Sequence, residues 1–109
     1  MKINFNDIEE KALHEFKGGE GDFLTRMNID DKNKVMLARL EPGSSIGELL
    51  HDVDSEIMFI ISGKADYLYD GKTEVVSAGE CHYCPKGHSH KMVNNYDEDV
   101  VFYAVVAIQ

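Results

Sequence analysis

From Val35 onward, apolar and polar residues come in short alternating runs, each closed by turn chemistry. Val35–Leu40 runs into Glu41-Pro42-Gly43, Ser45–His51 into Asp52-Val53-Asp54-Ser55, and Glu56–Ser62 into Gly63. Lys64–Tyr69 stops at Asp70-Gly71, a hairpin signal, because both residues tolerate the positive φ such turns require. Thr73–Ser77 precedes Gly79, Glu80–Cys84 precedes Pro85-Lys86-Gly87, and His88–Val93 precedes a polar stretch from Asn94 to Glu98. Val100–Ala107 ends the series. Strands at this spacing, with no helical pattern between them, predict an all-β antiparallel sandwich or small barrel over residues 34–109.

Residues 1–33 read differently. Ile8, Ala12, Leu13 and Phe16 fall on one helical face, with Asn6 or Asp7 as N-cap, so this stretch is expected to be irregular or to carry a short helix. It would pack on the barrel as an N-terminal extension. Gly18-Gly19-Glu20-Gly21 lacks the following Lys-Ser/Thr and the preceding strand of a phosphate loop, and predicts a bend across the barrel surface instead. Ile57–Ile61 and Val100–Val106 are apolar on both faces. In a two-sheet barrel the chain itself covers only the inner face of each strand. The N-terminal segment could cover part of the outer face and a second subunit the rest, which predicts a homodimer.

Composition narrows the partners. The 109 residues make one domain with a net charge of −9, and lysine and arginine collect in no run. That argues against nucleic acid and anionic membranes, whose binding rests on neutralising phosphates. No stretch is long and apolar enough to span a bilayer, and the acidic start has no apolar core, so a cytoplasmic protein is expected. Cys81 and Cys84 fall at i and i+3 of a strand, on opposite faces and roughly 10 Å apart, too far for a disulfide. They are expected to be ordinary strand cysteines.

Alternation also places the candidate chemistry. His51, Leu49 and Gly47 share one face; if it lines the barrel, His51 points inward with Leu49 beside it. Glu56 begins the next strand and can reach the same interior, and His90 enters from the hairpin turned by Pro85-Lys86-Gly87. Two imidazoles and a carboxylate converging from three strands form a donor set for one divalent ion: Fe, Mn, Ni, Co or Zn. A cation would also relieve the cost of burying Glu56 next to the apolar run Ile57–Ile61. His88 is a candidate fourth ligand, whereas His14 and His82 read as satisfied or exposed strand histidines. Tyr67, Tyr69 and Tyr103 are candidate proton donors.

The spacings carry a further signal. Gly79, five residues, Pro85, one residue, Gly87, two residues, His90, three residues, Asn94 resembles the second signature of the cupin superfamily at every fixed position. Gly43, five residues, Leu49-Leu50-His51, four residues, Glu56, six residues, Gly63 resembles the first signature except that Leu49 stands in place of its first histidine. The resemblance implies a double-stranded β-helix, or jelly-roll barrel, often dimeric, with His51, Glu56 and His90 at metal-ligand positions. It further implies a metal-dependent enzyme acting on a small molecule inside the barrel, of dioxygenase, isomerase or decarboxylase type. The alternative is a non-catalytic small-molecule-binding or structural dimeric cupin with a degenerate metal site.

Overall fold

The computed structural model describes residues 1–109, and strands make up most of it. β1 (Lys11–His14) and β2 (Asp22–Ile29) come first. β3 (Asn33–Leu40), β4 (Ser45–Leu50), β5 (Asp54–Ser62) and β6 (Lys64–Tyr69) follow. β7 (Lys72–Ser77), β8 (Cys81–Cys84), β9 (Ser89–Val93) and β10 (Val100–Ile108) complete the chain. Every pairing is antiparallel, in a six-stranded sheet of order β1-β2-β3-β10-β5-β8 and a four-stranded sheet of order β4-β9-β6-β7. Past β3 the chain changes sheet at each step apart from the β6–β7 hairpin, which winds the strands into a jelly roll.

The core lies between the sheets, where alternate residues meet. Met36, Ala38 and Leu40 of β3, Met58 and Ile60 of β5 and Phe102 and Ala104 of β10 oppose Ala65 and Tyr67 of β6 and Met92 of β9. From β3 onward each strand lies within a few residues of its sequence expectation, since period-2 burial and turn residues act locally.

The N-terminal segment departs from expectation. Instead of a helix through Ile8, Ala12, Leu13 and Phe16, Asn4 caps a 3-10 turn at Phe5–Asp7, its side chain accepting from the Asn6 N–H. The chain then runs extended as β1, which pairs with β2 from Lys11↔Thr25 to His14↔Asp22. A helix this short is marginal by itself, and the open edge of β2 offers ladder bonds in exchange. β2 was hidden because Asp22, Thr25, Arg26 and Asn28 obscure its alternation.

The glycine-rich bend does cross the barrel surface, and closely. A Cβ on Gly47 would lie 1.8 Å from the Lys17 carbonyl oxygen, and one on Gly19 would lie 2.2 Å from that of Ser45. Only glycine at both positions allows this backbone-to-backbone seat. The β4–β9 register shifts between Ile46 and Leu49, and both of these side chains line the interior cavity. Gly47 therefore lies beneath the bend and does not share the face of Leu49 and His51, as uninterrupted alternation predicts.

Candidate metal centre

The first-motif histidine is fixed by the second-motif turn. Gly87, at φ +91°, directs its N–H to the His51 carbonyl at 2.6 Å, while the His51 N–H donates to the His88 carbonyl at 3.0 Å. A side chain at residue 87 would strain that φ. Downstream, buried Asn94 donates from Nδ2 to the carbonyls of Leu40 and Glu98 and accepts the Tyr96 N–H. The last residue of the second motif is thus a latch for the loop before β10.

Inside the barrel, three buried donor atoms converge. His51 Nε2 lies 2.9 Å from His90 Nε2 and 3.3 Å from Glu56 Oε1, and the His90–Glu56 separation is 3.1 Å. Each side chain comes from a different part of the barrel: the residue that follows β4, the inner face of β5 and the inner face of β9. An octahedral ion with bonds of about 2.1 Å places adjacent donors roughly 3.0 Å apart. The triangle matches one face of such a polyhedron.

The outer hydrogen bonds decide which ring nitrogens carry protons. Asp54 Oδ1 sits 2.6 Å from His51 Nδ1, so Nδ1–H donates to the carboxylate and Nε2 offers its lone pair inward. On the other side Glu74 Oε1 accepts from His82 Nδ1 at 2.8 Å. His82 Nε2 is left to accept from His90 Nδ1 at 3.0 Å, and His90 Nε2 also turns a lone pair to the centre. Burial, opposed by Glu74, pushes the His82 imidazole below its ordinary value, which suits a neutral relay member. Two lone pairs and a carboxylate then face one another, and only a cation between them relieves the repulsion.

When that cation is a proton, the same contacts set the acidities. Glu56 holds the His51 imidazole above its usual value, against the effect of burial. Burial pushes the Glu56 carboxyl up, but His51 and His90 outweigh it and hold the group below the ordinary carboxylate range.

Other candidates fall elsewhere. His88 bonds through Nδ1 to Asp70 and Tyr69 at the half-exposed turn, outside the triangle. His14 is exposed beside Asp22 and Glu15. Tyr67 is wholly buried, stacked on His82 at 4.0 Å between ring centroids and donating its hydroxyl to Met58 Sδ. Burial raises its phenol well above the ordinary value, which makes it a poor proton donor. Tyr103 points to the outer face against Phe5, so it cannot serve the interior. The two cysteines are free, Cys81 exposed and Cys84 buried, on opposite faces of β8.

Sequence reasoning did not find the roles of His82, Glu74 and Asp54. The i,i+3 spacing of His51 and Asp54 was a usable signal; the Glu74–His82 contact, between strands of different sheets, left none. Leu49 is paired with His90 across β4 and β9 and lines the cavity at the position of the missing histidine. That cavity, about 300 Å³, has a largely apolar wall including Phe16, Phe23, Met36 and Ile46.

A two-sheet jelly roll carrying an interior His-Glu-His triangle defines a class, and comparison with known proteins gives the family. The Cupin domain family model matches residues 36–106, and the chain belongs to the cupin family. It is 26% identical over 114 residues to the Oxalate-binding protein of Thermotoga maritima, covering 99% of this chain and 94% of that protein. A solved structure of a predicted oxalate decarboxylase from Thermotoga maritima superposes with a TM-score of 0.92 at 25% identity, covering 100% of both chains. The polyketide cyclase RemF from Streptomyces resistomycificus shares the fold with a TM-score of 0.82 at 20% identity, over 100% of this chain and 80% of that one. No helix is long and apolar enough to cross a membrane.

Proposed function

We propose that the protein is a divalent-metal-dependent cupin enzyme acting on a small molecule in the barrel, with His51, Glu56 and His90 as metal ligands. One observation carries this reading: three buried donor atoms, the Nε2 atoms of His51 and His90 and Oε1 of Glu56, stand 2.9–3.3 Å apart. When bound, the ion supplies Lewis-acid polarisation of a coordinated oxygen, and an Fe, Mn or Co ion also gives access to redox chemistry. The protein's part is to bring three donors to one point, to hold the rings through Asp54 and His82, and to surround the reacting group with apolar walls. The Thermotoga relatives named for oxalate support a carboxylate as the metal-binding head of the ligand. The test is metal content per chain after dialysis against each of Fe, Mn, Co, Ni and Zn. An occupancy near one that vanishes in Glu56→Gln supports the site, and no occupancy with any of them removes it.

A second reading has its own support. One relative is named for binding rather than turnover, and none of the tyrosines is placed beside the triangle as a ready acid. A carboxylate bound by the metal-loaded protein and recovered unchanged after long incubation would favour a binding module over an enzyme.

The proposal extends to a homodimer, with residues 1–33 as an extension of the 34–109 barrel. On the outer face of the large sheet Phe59 is 50% exposed, Ile61 45%, Tyr83 52% and Tyr103 43%. The first segment covers only part of that face, through Phe5 on Tyr103 and a bidentate ion pair of Glu10 with Arg39. Tyr103 and Phe59 are direct cross-strand partners, so the uncovered side chains form one patch. Sedimentation at micromolar concentration should give twice the chain mass; a monomer would overturn this.

A further inference from the structure

The triangle leaves one side of the ion without a protein donor, and Leu49 offers carbon where the family's first histidine would stand. His88 is committed to Asp70. Cys84 is different: it is wholly buried on the inner face of β8 and in direct register with Glu56 across β5. Its Sγ and one ring nitrogen each of His51 and His90 all lie within 4.8 Å of one another. The only polar contact of the thiol is a weak bond to the His88 carbonyl at 3.5 Å, so no strong hydrogen bond opposes a change of rotamer.

Resting on the metal reading above, we infer that Cys84 is the fourth protein ligand. The site would then be built of two imidazoles, a carboxylate and a thiolate, and would select zinc, cobalt or iron(II) over manganese and magnesium. Around the same ion, adjacent N and S donors stand roughly 3.1 Å apart, given bonds of about 2.1 and 2.3 Å. The present donor atoms lie within 4.8 Å of one another, so binding would draw the sulfur inward by rotation about the cysteine Cα–Cβ bond. On binding, the S–H bond breaks heterolytically, the sulfur pair goes to the ion and the proton to solvent, with no change of oxidation state. The thiolate is a soft donor that hard manganese and magnesium favour least. The loss of a histidine at residue 49 is thereby made good from the opposite sheet.

The test uses the full chain loaded with cobalt(II), read by absorption. Wild type should bind one ion per chain and show the intense near-ultraviolet thiolate-to-cobalt charge-transfer band. Cys81→Ser, which leaves Cys84 as the sole thiol, should keep both the band and the affinity. Cys84→Ser should lose the band and bind cobalt about tenfold or more weakly, while manganese affinity changes little. One bound cobalt without the band in wild type or Cys81→Ser overturns the ligand role of Cys84 and leaves the triangle standing. No bound cobalt at all overturns the metal reading and the thiolate with it. Because the Cys81→Ser arm leaves the core intact, the inference is decided even if Cys84→Ser fails to fold.

Discussion

His51 and His90 present the same ring atom to the same point, yet their supports are unlike. His51 rests on Asp54, three residues on in the chain and partly open to water. His90 rests on His82, itself held by Glu74, so its support crosses from β9 to β8 and then to β7 and joins the two sheets. A local brace needs only a turn. A relay needs the finished barrel, and each buried member has no replacement if lost. The His90 wall is therefore expected to be the more sensitive of the two.

Removing the charge common to both walls should have the largest effect. Glu56→Gln takes away the only carboxylate in the triangle, and metal affinity should fall by more than the roughly 10–100-fold that loss of an outer partner costs. Competition with a chromophoric chelator measures it. His82→Phe keeps a ring against Tyr67 but removes the acceptor for His90 Nδ1–H. Affinity should drop toward the upper end of that 10–100-fold range, with the fold retained by circular dichroism. Asp54→Asn should fall toward the lower end, since an amide oxygen can still accept from His51. Glu74→Gln should matter least, because that carboxylate is half exposed and water can replace it. An Asp54→Asn loss exceeding that of His82→Phe would reverse the ranking of the walls.

Acidity sharpens the comparison without any metal. His51 has a folded-state pKa above 6.5, so its contribution to stability is complete below 6.5 and is lost as pH rises through the folded value. Glu56 has a folded-state pKa below 4.5, so its contribution is present above 4.5 and is lost as pH falls through the folded value. Metal-free protein should melt highest between pH 4.5 and 6.5, as seen by thermal unfolding across a pH series. Glu56→Gln should flatten both flanks, and a bound ion should abolish the alkaline one by taking the place of the proton.

The barrel was readable because its signals are local. Turn residues such as Asp70-Gly71 and the alternation of strands such as β10 depend on few neighbours. The three residues of the triangle were readable for the same reason, each standing at a fixed spacing from a turn. What stayed hidden depends on contacts between distant strands. The Gly47 seat requires a bulge and the Lys17 carbonyl, and the register that sets Cys84 opposite Glu56 joins strands far apart in the chain. Extended β1 follows from the free edge of β2, which no pattern within residues 8–16 announces.

The paired backbone bonds between His51 and the Pro85–His88 turn bear on any attempt to transplant this centre. A designer who grafts three ligand side chains onto another barrel would copy the donors and omit what sets their spacing. His51 keeps its place because its own peptide groups are bonded to a turn more than thirty residues away, and that turn needs glycine at residue 87. The smallest portable unit is therefore the two strand ends with the turn between β8 and β9. Within a lineage the same link means that drift at Gly87 would register as damage to His51, even though neither the side chain nor its partners had changed.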